Sequence, residues 1–255
     1  MQLTDKVAIV TGGDSGIGKA IALTLAREGA RVVIDCHGDK APAEELTGRI
    51  AAAGGVAIAF AADVTSENDV EALVAAAVNA YGGVDVLVNN AGIEKKQPFL
   101  ETPLTTFQEV MAVNLTGTWL CSQAVARQMV KQKRGGRIVN ISSVHEEMTM
   151  PTNAPYCASK GAVRMLMRTI AVELAEYGIT VNNVAPGAVD TPMDAPLKKD
   201  PKEMDTLLAE IPLHRMAKPE EIAGVVAFLA SDDAAYITGA TYLIDGGMTK
   251  QSGSL

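Results

Sequence analysis

The chain has 255 residues, of which 48% are hydrophobic, 20% charged and only 4% aromatic, with a formal net charge of -8 at pH 7. That length admits one large α/β domain or two small ones, and the composition is that of a globular core rather than a disordered or fibrous chain. The acidic balance argues against nucleic acid and against an anionic membrane as partners, because both reward a basic surface.

In chain order, the first apolar run, Val7–Val10, meets glycine at Gly12, which leaves no signal-peptide region before it, and no stretch approaches the ~18 apolar residues of a spanning helix. Short β-branched runs then alternate with longer helical patterns, the signature of βαβ units around a parallel sheet. The expected strands are Val7–Val10, Arg31–Asp35, Val56–Ala61, Val84–Val88, Arg137–Ile141, Ile179–Val184 and Thr241–Asp245. Ser66 is placed to cap a helix entering Val70, Leu73 and Val74, and Pro219 with Glu220 and Glu221 opens another. A helix through Tyr156 carries Val163, Leu166, Met167, Ile170 and Leu174 on one stripe. No linker or repeat divides the chain, so residues 1–255 read as one domain. The stretch from Asp190 to Lys218 holds Pro192, Pro196, Pro201, Pro212 and many charges after a strand end, and it reads as a substrate-covering lobe. Cys36, Cys121 and Cys157 are too scattered for a disulfide framework or a metal site, so a cytoplasmic, metal-free protein is expected.

Two motifs carry chemistry. After the first strand comes Thr11-Gly12-Gly13-Asp14-Ser15-Gly16-Ile17-Gly18, running into a helix. Glycines there allow a sharp turn and close approach to a pyrophosphate, while free N–H groups at the helix start attract the anion. The spacing is Gly-x-x-x-Gly-x-Gly, not the commoner Gly-x-Gly-x-x-Gly. Further on, Tyr156 and Lys160 stand four apart, which stacks them on one helix face; a neighbouring ammonium stabilises a phenolate and lets the tyrosine shuttle a proton. Ser142 and Ser143 lie just upstream.

This turn, Asp63-Val64, Asn89-Asn90-Ala91-Gly92, Asn114, Ser143, Tyr156-x-x-x-Lys160 and Pro186-Gly187 together resemble the short-chain dehydrogenase/reductase family, in order and nearly end to end. Asn140-Ile141-Ser142-Ser143-Val144-His145-Glu146 and the closing segment from Thr238 to Thr249 are most similar to the bacterial glucose 1-dehydrogenases within it. The resemblance implies one doubly wound domain with a seven-stranded parallel sheet, a homotetramer, and a nicotinamide cofactor working on a small-molecule substrate.

It also implies site roles. Tyr156 is the acid/base, Lys160 lowers its pKa and holds the nicotinamide ribose, and Ser143, by the family's spacing to the tyrosine, bonds the reacting oxygen. Asn114 supports a water relay to the lysine. Gly12, Asp14, Ser15, Gly16, Ile17 and Gly18 take the pyrophosphate, Asp63 and Val64 the adenine, and Asn89, Ala91 and Gly92 line the cofactor. Pro186, Gly187, Val189 and Thr191 pin the nicotinamide. Asp35 lies where the general rule places a ribose-binding acid, while the family alignment points to Cys36 and His37; with no arginine for a 2'-phosphate, NAD is favoured over NADP, dual use next. Glu94 and His145 are the substrate-facing candidates, suited to a sugar such as glucose. Two other readings stand beside this one: a 3-oxoacyl carrier-protein-type carbonyl reductase, which shares every catalytic motif, and a non-catalytic nucleotide-sensing protein.

Overall fold

The computed structural model describes residues 2–192 and 200–250. Seven strands form one parallel sheet in the order β3-β2-β1-β4-β5-β6-β7, with β1 Val7–Val10, β2 Arg31–Cys36, β3 Val56–Ala61, β4 Val86–Asn89, β5 Gly136–Ile141, β6 Ile179–Pro186 and β7 Thr241–Ile244. The strands are all but continuous apolar runs because helices cover both faces. Along β1, Ala8 and Val10 pack on one side with α1 (Gly16–Arg27), α2 (Ala41–Ala52) and α8 (Pro219–Ala230). Val7 and Ile9 pack on the other, against α3 (Glu67–Tyr81), α5 (Thr118–Gln132) and α6 (Ala154–Leu174). Fully buried side chains such as Ile9, Leu25, Leu87 and Met167 each contribute about 1.5–3 kcal/mol by leaving water.

Local signals set the helix ends. Ser66 caps α3 by accepting the Asp69 N–H, and Gly82 ends that helix in the left-handed conformation, φ 85°. Pro219 occupies the first turn of α8 and Pro155 that of α6, where a missing N–H costs nothing.

Several strand ends need correction. β4 starts at Val86, not Val84, because the Val84 N–H is taken by Gln132 Oε1 and the Asp85 carboxylate turns aside to the Val7 N–H and to Arg134. β2, β4 and β6 run on to Cys36, Asn89 and Pro186, β5 starts one residue earlier at Gly136, and β7 ends one residue earlier at Ile244. Within the stretch from Asp190 to Lys218, Asp200 accepts the Lys202 and Glu203 N–H groups and launches α7, Pro201–Ala209. Residues 193–199 of the expected lobe, with Pro196, Lys198 and Lys199, lie outside the described residues.

Polar side chains also cross the sheet. Asn89 on β4 donates to Asn140 Oδ1 on β5 at 2.8 Å, Asn140 donates to Asn183 Oδ1 on β6 at 3.0 Å, and Asn183 donates to the buried Glu146 carboxylate at 3.1 Å. Arg164 of α6 lies 3.4 Å from the other Glu146 oxygen. Because strand order reverses between β1 and β4, their carboxyl ends open a crevice where ligands bind in such sheets.

Candidate active site

The crevice floor is the glycine-rich turn. Gly12 (φ 55°) and Gly16 (φ 50°) take left-handed backbone that other residues adopt at a cost. A Cβ on Gly18 would lie 2.2 Å from the Gly12 carbonyl oxygen and 2.5 Å from Asn90 Nδ2, so helix and turn touch through bare backbone. The N-cap of α1, Ser15, makes no side-chain cap bond and no acid occupies the first turn, leaving a helix N-terminus open to an anion. These features fit a dinucleotide pyrophosphate.

Asp35 is 1% exposed. Its Oδ2 accepts the Gly12 N–H at 3.3 Å, and Oδ1 is buried without a hydrogen-bond partner among the described residues, so the carboxylate braces the turn from inside the protein. Burial, reinforced by the nearby Asp14 and Asp63 charges, pushes its pKa up to about 7. Cys36 is fully buried, its thiol toward the Phe60 carbonyl and its pKa raised to about 11 by burial, whereas His37 is exposed. Asp63 accepts from the N–H and hydroxyl of Thr65, which hold its pKa low, and Val64 packs against Gly117.

On the opposite wall, the side chain of Asn89 is committed to Ser122 and the amide ladder, so only its backbone faces the crevice side. Two residues that sequence reasoning passed over do the holding. Thr11 Oγ1 accepts the N–H groups of Asn90 and Ala91, and the Asn90 amide donates to the Thr11 and Gly12 carbonyls, at 2.8–3.1 Å. A hydroxyl on the last residue before the glycines was the available signal. Gly92 has no side chain where a Cβ would sit 3.4 Å from Asn114 Oδ1 and 3.7 Å from Lys160 Nζ, keeping the space between those two groups open.

Asn114 sits in one turn of π-helix, Ala112–Gly117, between α4 (Leu104–Met111) and α5. Such turns are frequent at functional sites. The widened turn aims the amide at the β4 loop, where Oδ1 accepts the Ile93 N–H at 2.8 Å and Nδ2 donates to the Ile93 carbonyl and to Ser159 Oγ, both at 3.0 Å. Ser143 lies two residues past the end of β5, is 6% exposed, and uses its Oγ to accept the His145 N–H. Tyr156 and Lys160 come from the first two turns of α6, with Lys160 Nζ 5.5 Å from the centre of the tyrosine ring. The ammonium donates to the Ile141 carbonyl at 2.9 Å; burial lowers its pKa to about 8, and the Glu146 charge partly offsets that.

Above them, the His145 and Tyr156 ring centres are 6.3 Å apart, edge to face. His145 Nδ1 contacts the Met148 carbonyl at 3.4 Å; a carbonyl only accepts, so this contact puts the proton on Nδ1 and leaves Nε2 an acceptor. Burial lowers the His145 pKa, which favours the neutral ring. Glu94 Oε1 accepts from Asn153 Nδ2 at 2.9 Å, and no described residue bonds its Oε2. Beyond β6, Gly187 backs onto Asp245, Val189 is buried, and Thr191 comes close to Gly16, closing the far end over the turn. Among the described residues no group of three His, Cys, Asp or Glu side chains is placed to hold a metal ion, and no helix is long and apolar enough to cross a membrane.

A tyrosine with a buried ammonium, beside a glycine-rich turn at the switch point of a parallel sheet, is an arrangement that suits a nicotinamide-dependent oxidoreductase. The chain belongs to the short-chain dehydrogenase/reductase family. A family model described as enoyl-(acyl carrier protein) reductase matches residues 12–249. Glucose 1-dehydrogenase 2 of Bacillus subtilis is 41% identical over 248 residues, 97% of this chain and 96% of that protein. A 3-oxoacyl-[acyl-carrier-protein] reductase of Synechocystis is 45% identical over 247 residues, 96% of this chain and 98% of that protein. Among solved structures, a gluconate 5-dehydrogenase from Burkholderia cenocepacia in complex with NADP and tartrate superposes with a TM-score of 0.94, at 36% identity and 98% coverage of both chains.

Proposed function

We propose that this chain oxidises a sugar or polyol with NAD, most readily the anomeric hydroxyl of glucose to the lactone. The observation that carries the substrate class is the pair of open acceptors beside Tyr156, the free oxygen of Glu94 and Nε2 of His145. Two acceptors in one pocket reward a ligand rich in hydroxyl donors. When bound, the nicotinamide supplies the hydride exchange. The protein does the rest. The turn Gly12–Gly18 and Thr191 hold the dinucleotide, and Ala91, Gly92, Pro186, Gly187 and Val189 shape the space for its nicotinamide end. Ser143 Oγ donates to the reacting oxygen, and the Tyr156 phenolate takes the hydroxyl proton. The Lys160 ammonium lowers the cost of that phenolate, and Asn114 keeps the wall beside Lys160 open for a proton path.

NAD is favoured because Asp14, Asp35 and Asp63 gather near the turn, an acidic surround that repels a 2'-phosphate. The Synechocystis relative, more identical than the glucose dehydrogenase, favours a second reading as an oxoacyl thioester reductase. We further propose one domain, a substrate-covering role for the segment around α7, and a homotetramer. Assays of reduced-nicotinamide absorbance with NAD or NADP against sugars, polyols and secondary alcohols, and in reverse with oxoacyl thioesters, decide between the readings. Turnover of thioesters with none of sugars would replace the first by the second.

A further inference from the structure

We propose that Asn153 is a specificity-positioning residue that aims the Glu94 carboxylate at the substrate, and this rests on the polyol reading of the site. Asn153 is fully buried at the N-terminus of α6, three residues before Tyr156, yet its side chain makes no capping bond to that helix. Instead Nδ2 reaches across to Glu94 Oε1 at 2.9 Å, with Met150 Sδ as a second partner at 3.2 Å. Its Oδ1 is buried without a partner among the described residues, so the amide gives up half its bonding capacity to keep this contact.

The surrounding backbone is built to hold the pair. Thr152 has φ 70°, a left-handed conformation that a β-branched residue adopts only under constraint. The constraint is visible: the Gln97 N–H donates to the Thr152 carbonyl at 2.7 Å, tying the Glu94 loop to the α6 entry. The other end of that loop is fixed at Ile93 by Asn114. Glu94 is thus held on both sides in sequence and by Asn153 through its carboxylate, which leaves one oxygen for the ligand. The other charged and titratable groups beside it are Lys96, 3.6 Å from the same Oε1, and His145.

The test measures KM and kcat for glucose and for 2-propanol or cyclohexanol in the wild type, E94A, N153A and the double variant. Asn153→Ala is expected to raise the glucose KM about tenfold, the worth of one charge-assisted hydrogen bond, with simple alcohols unchanged and no added effect in the E94A background. Asn153→Asp keeps the shape and opposes two carboxylates; its glucose KM is expected to recover as pH falls from about 8 to about 6, when a shared proton restores the bond. Equal losses on glucose and simple alcohols, or N153A and E94A effects that add, overturn the assignment while leaving the polyol reading intact provided E94A alone is selective for glucose. An E94A variant that treats both substrates alike overturns both.

Discussion

Tyr156 and Asp35 are ionisable groups at opposite ends of the crevice, and each makes a measurable prediction. Tyr156→Phe keeps the ring against His145 and removes only the hydroxyl; turnover is expected to fall by about 10²–10⁴-fold with dinucleotide affinity nearly unchanged, checked by single-turnover rates alongside calorimetric titration. Substantial residual turnover would remove the tyrosine from the proton path. Asp35 makes a different prediction. Its folded pKa of about 7 lies above the unfolded value of 3.8, so between those pH values the folded state binds more protons and stability falls as pH rises. The isosteric Asp35→Asn retains an acceptor for the Gly12 N–H and carries no charge. It should match the wild type near pH 4 and exceed it above pH 7 by up to ~4 kcal/mol, read from urea unfolding of the dinucleotide-free protein at a series of pH values. Parallel pH profiles for the two proteins would show Asp35 to be ionised without penalty.

At the scale of elements, what the sequence made legible is whatever depends on period and on turn chemistry. β1 and β3 fall on their expected bounds because their apolar runs are bounded by Lys6 and Thr11 and by Gly55 and Asp63, and α6 is read from Tyr156 to Leu174 because its stripe never breaks. The start of β4 was not legible, since Val84 and Asp85 look like strand residues and are diverted only by Gln132, Val7 and Arg134, far away in the chain. The π-turn at Asn114 leaves no local trace either. Its reason is the reach of one amide to Ile93, a tertiary contact. Of the site, the Tyr156–Lys160 spacing and the glycine turn could be read directly, Ser143 came through the family resemblance, and Thr11 left only its hydroxyl before the glycines as a signal; the roles of Asn90 and Asn153 could not be read, because their partners come from other strands and loops. The amide ladder is likewise tertiary, and it predicts that Asn183→Ala costs about 2–4 kcal/mol by leaving Asn140 and the Glu146 carboxylate short of a donor or acceptor in a buried setting. Denaturant midpoints measure it, and a change within ~0.5 kcal/mol would mean that water replaces the amide.

The molecule as a whole presents a layered sheet with an unusual amount of apolar surface around α4 and along α6. Phe99 is 77% exposed, Leu100 96%, Leu104 68% and Val172 79%, values that a monomer in water pays for in solubility. These side chains are the natural contact surface for the proposed homotetramer. Replacing Leu100 and Leu104 together by Asp is expected to lower the mass measured by light scattering to that of smaller species, with the circular dichroism of the fold retained. An unchanged mass would place the subunit contacts elsewhere.

A sheet of Val, Ile and Ala offers little to distinguish one alignment of its central strands from another displaced by two residues, since every apolar side chain would again meet an apolar neighbour. The chain of amides from Asn89 through Asn140 and Asn183 to Glu146 supplies what those side chains lack. Every amide donates in the same direction, so the row closes only when β4, β5 and β6 are all in their native alignment, and a slip of any one strands buried polar atoms at about 1–3 kcal/mol apiece. Asparagine, poor at forming strands on its own, thus acts here as the key that selects a single assembly from many near-equivalent ones during folding.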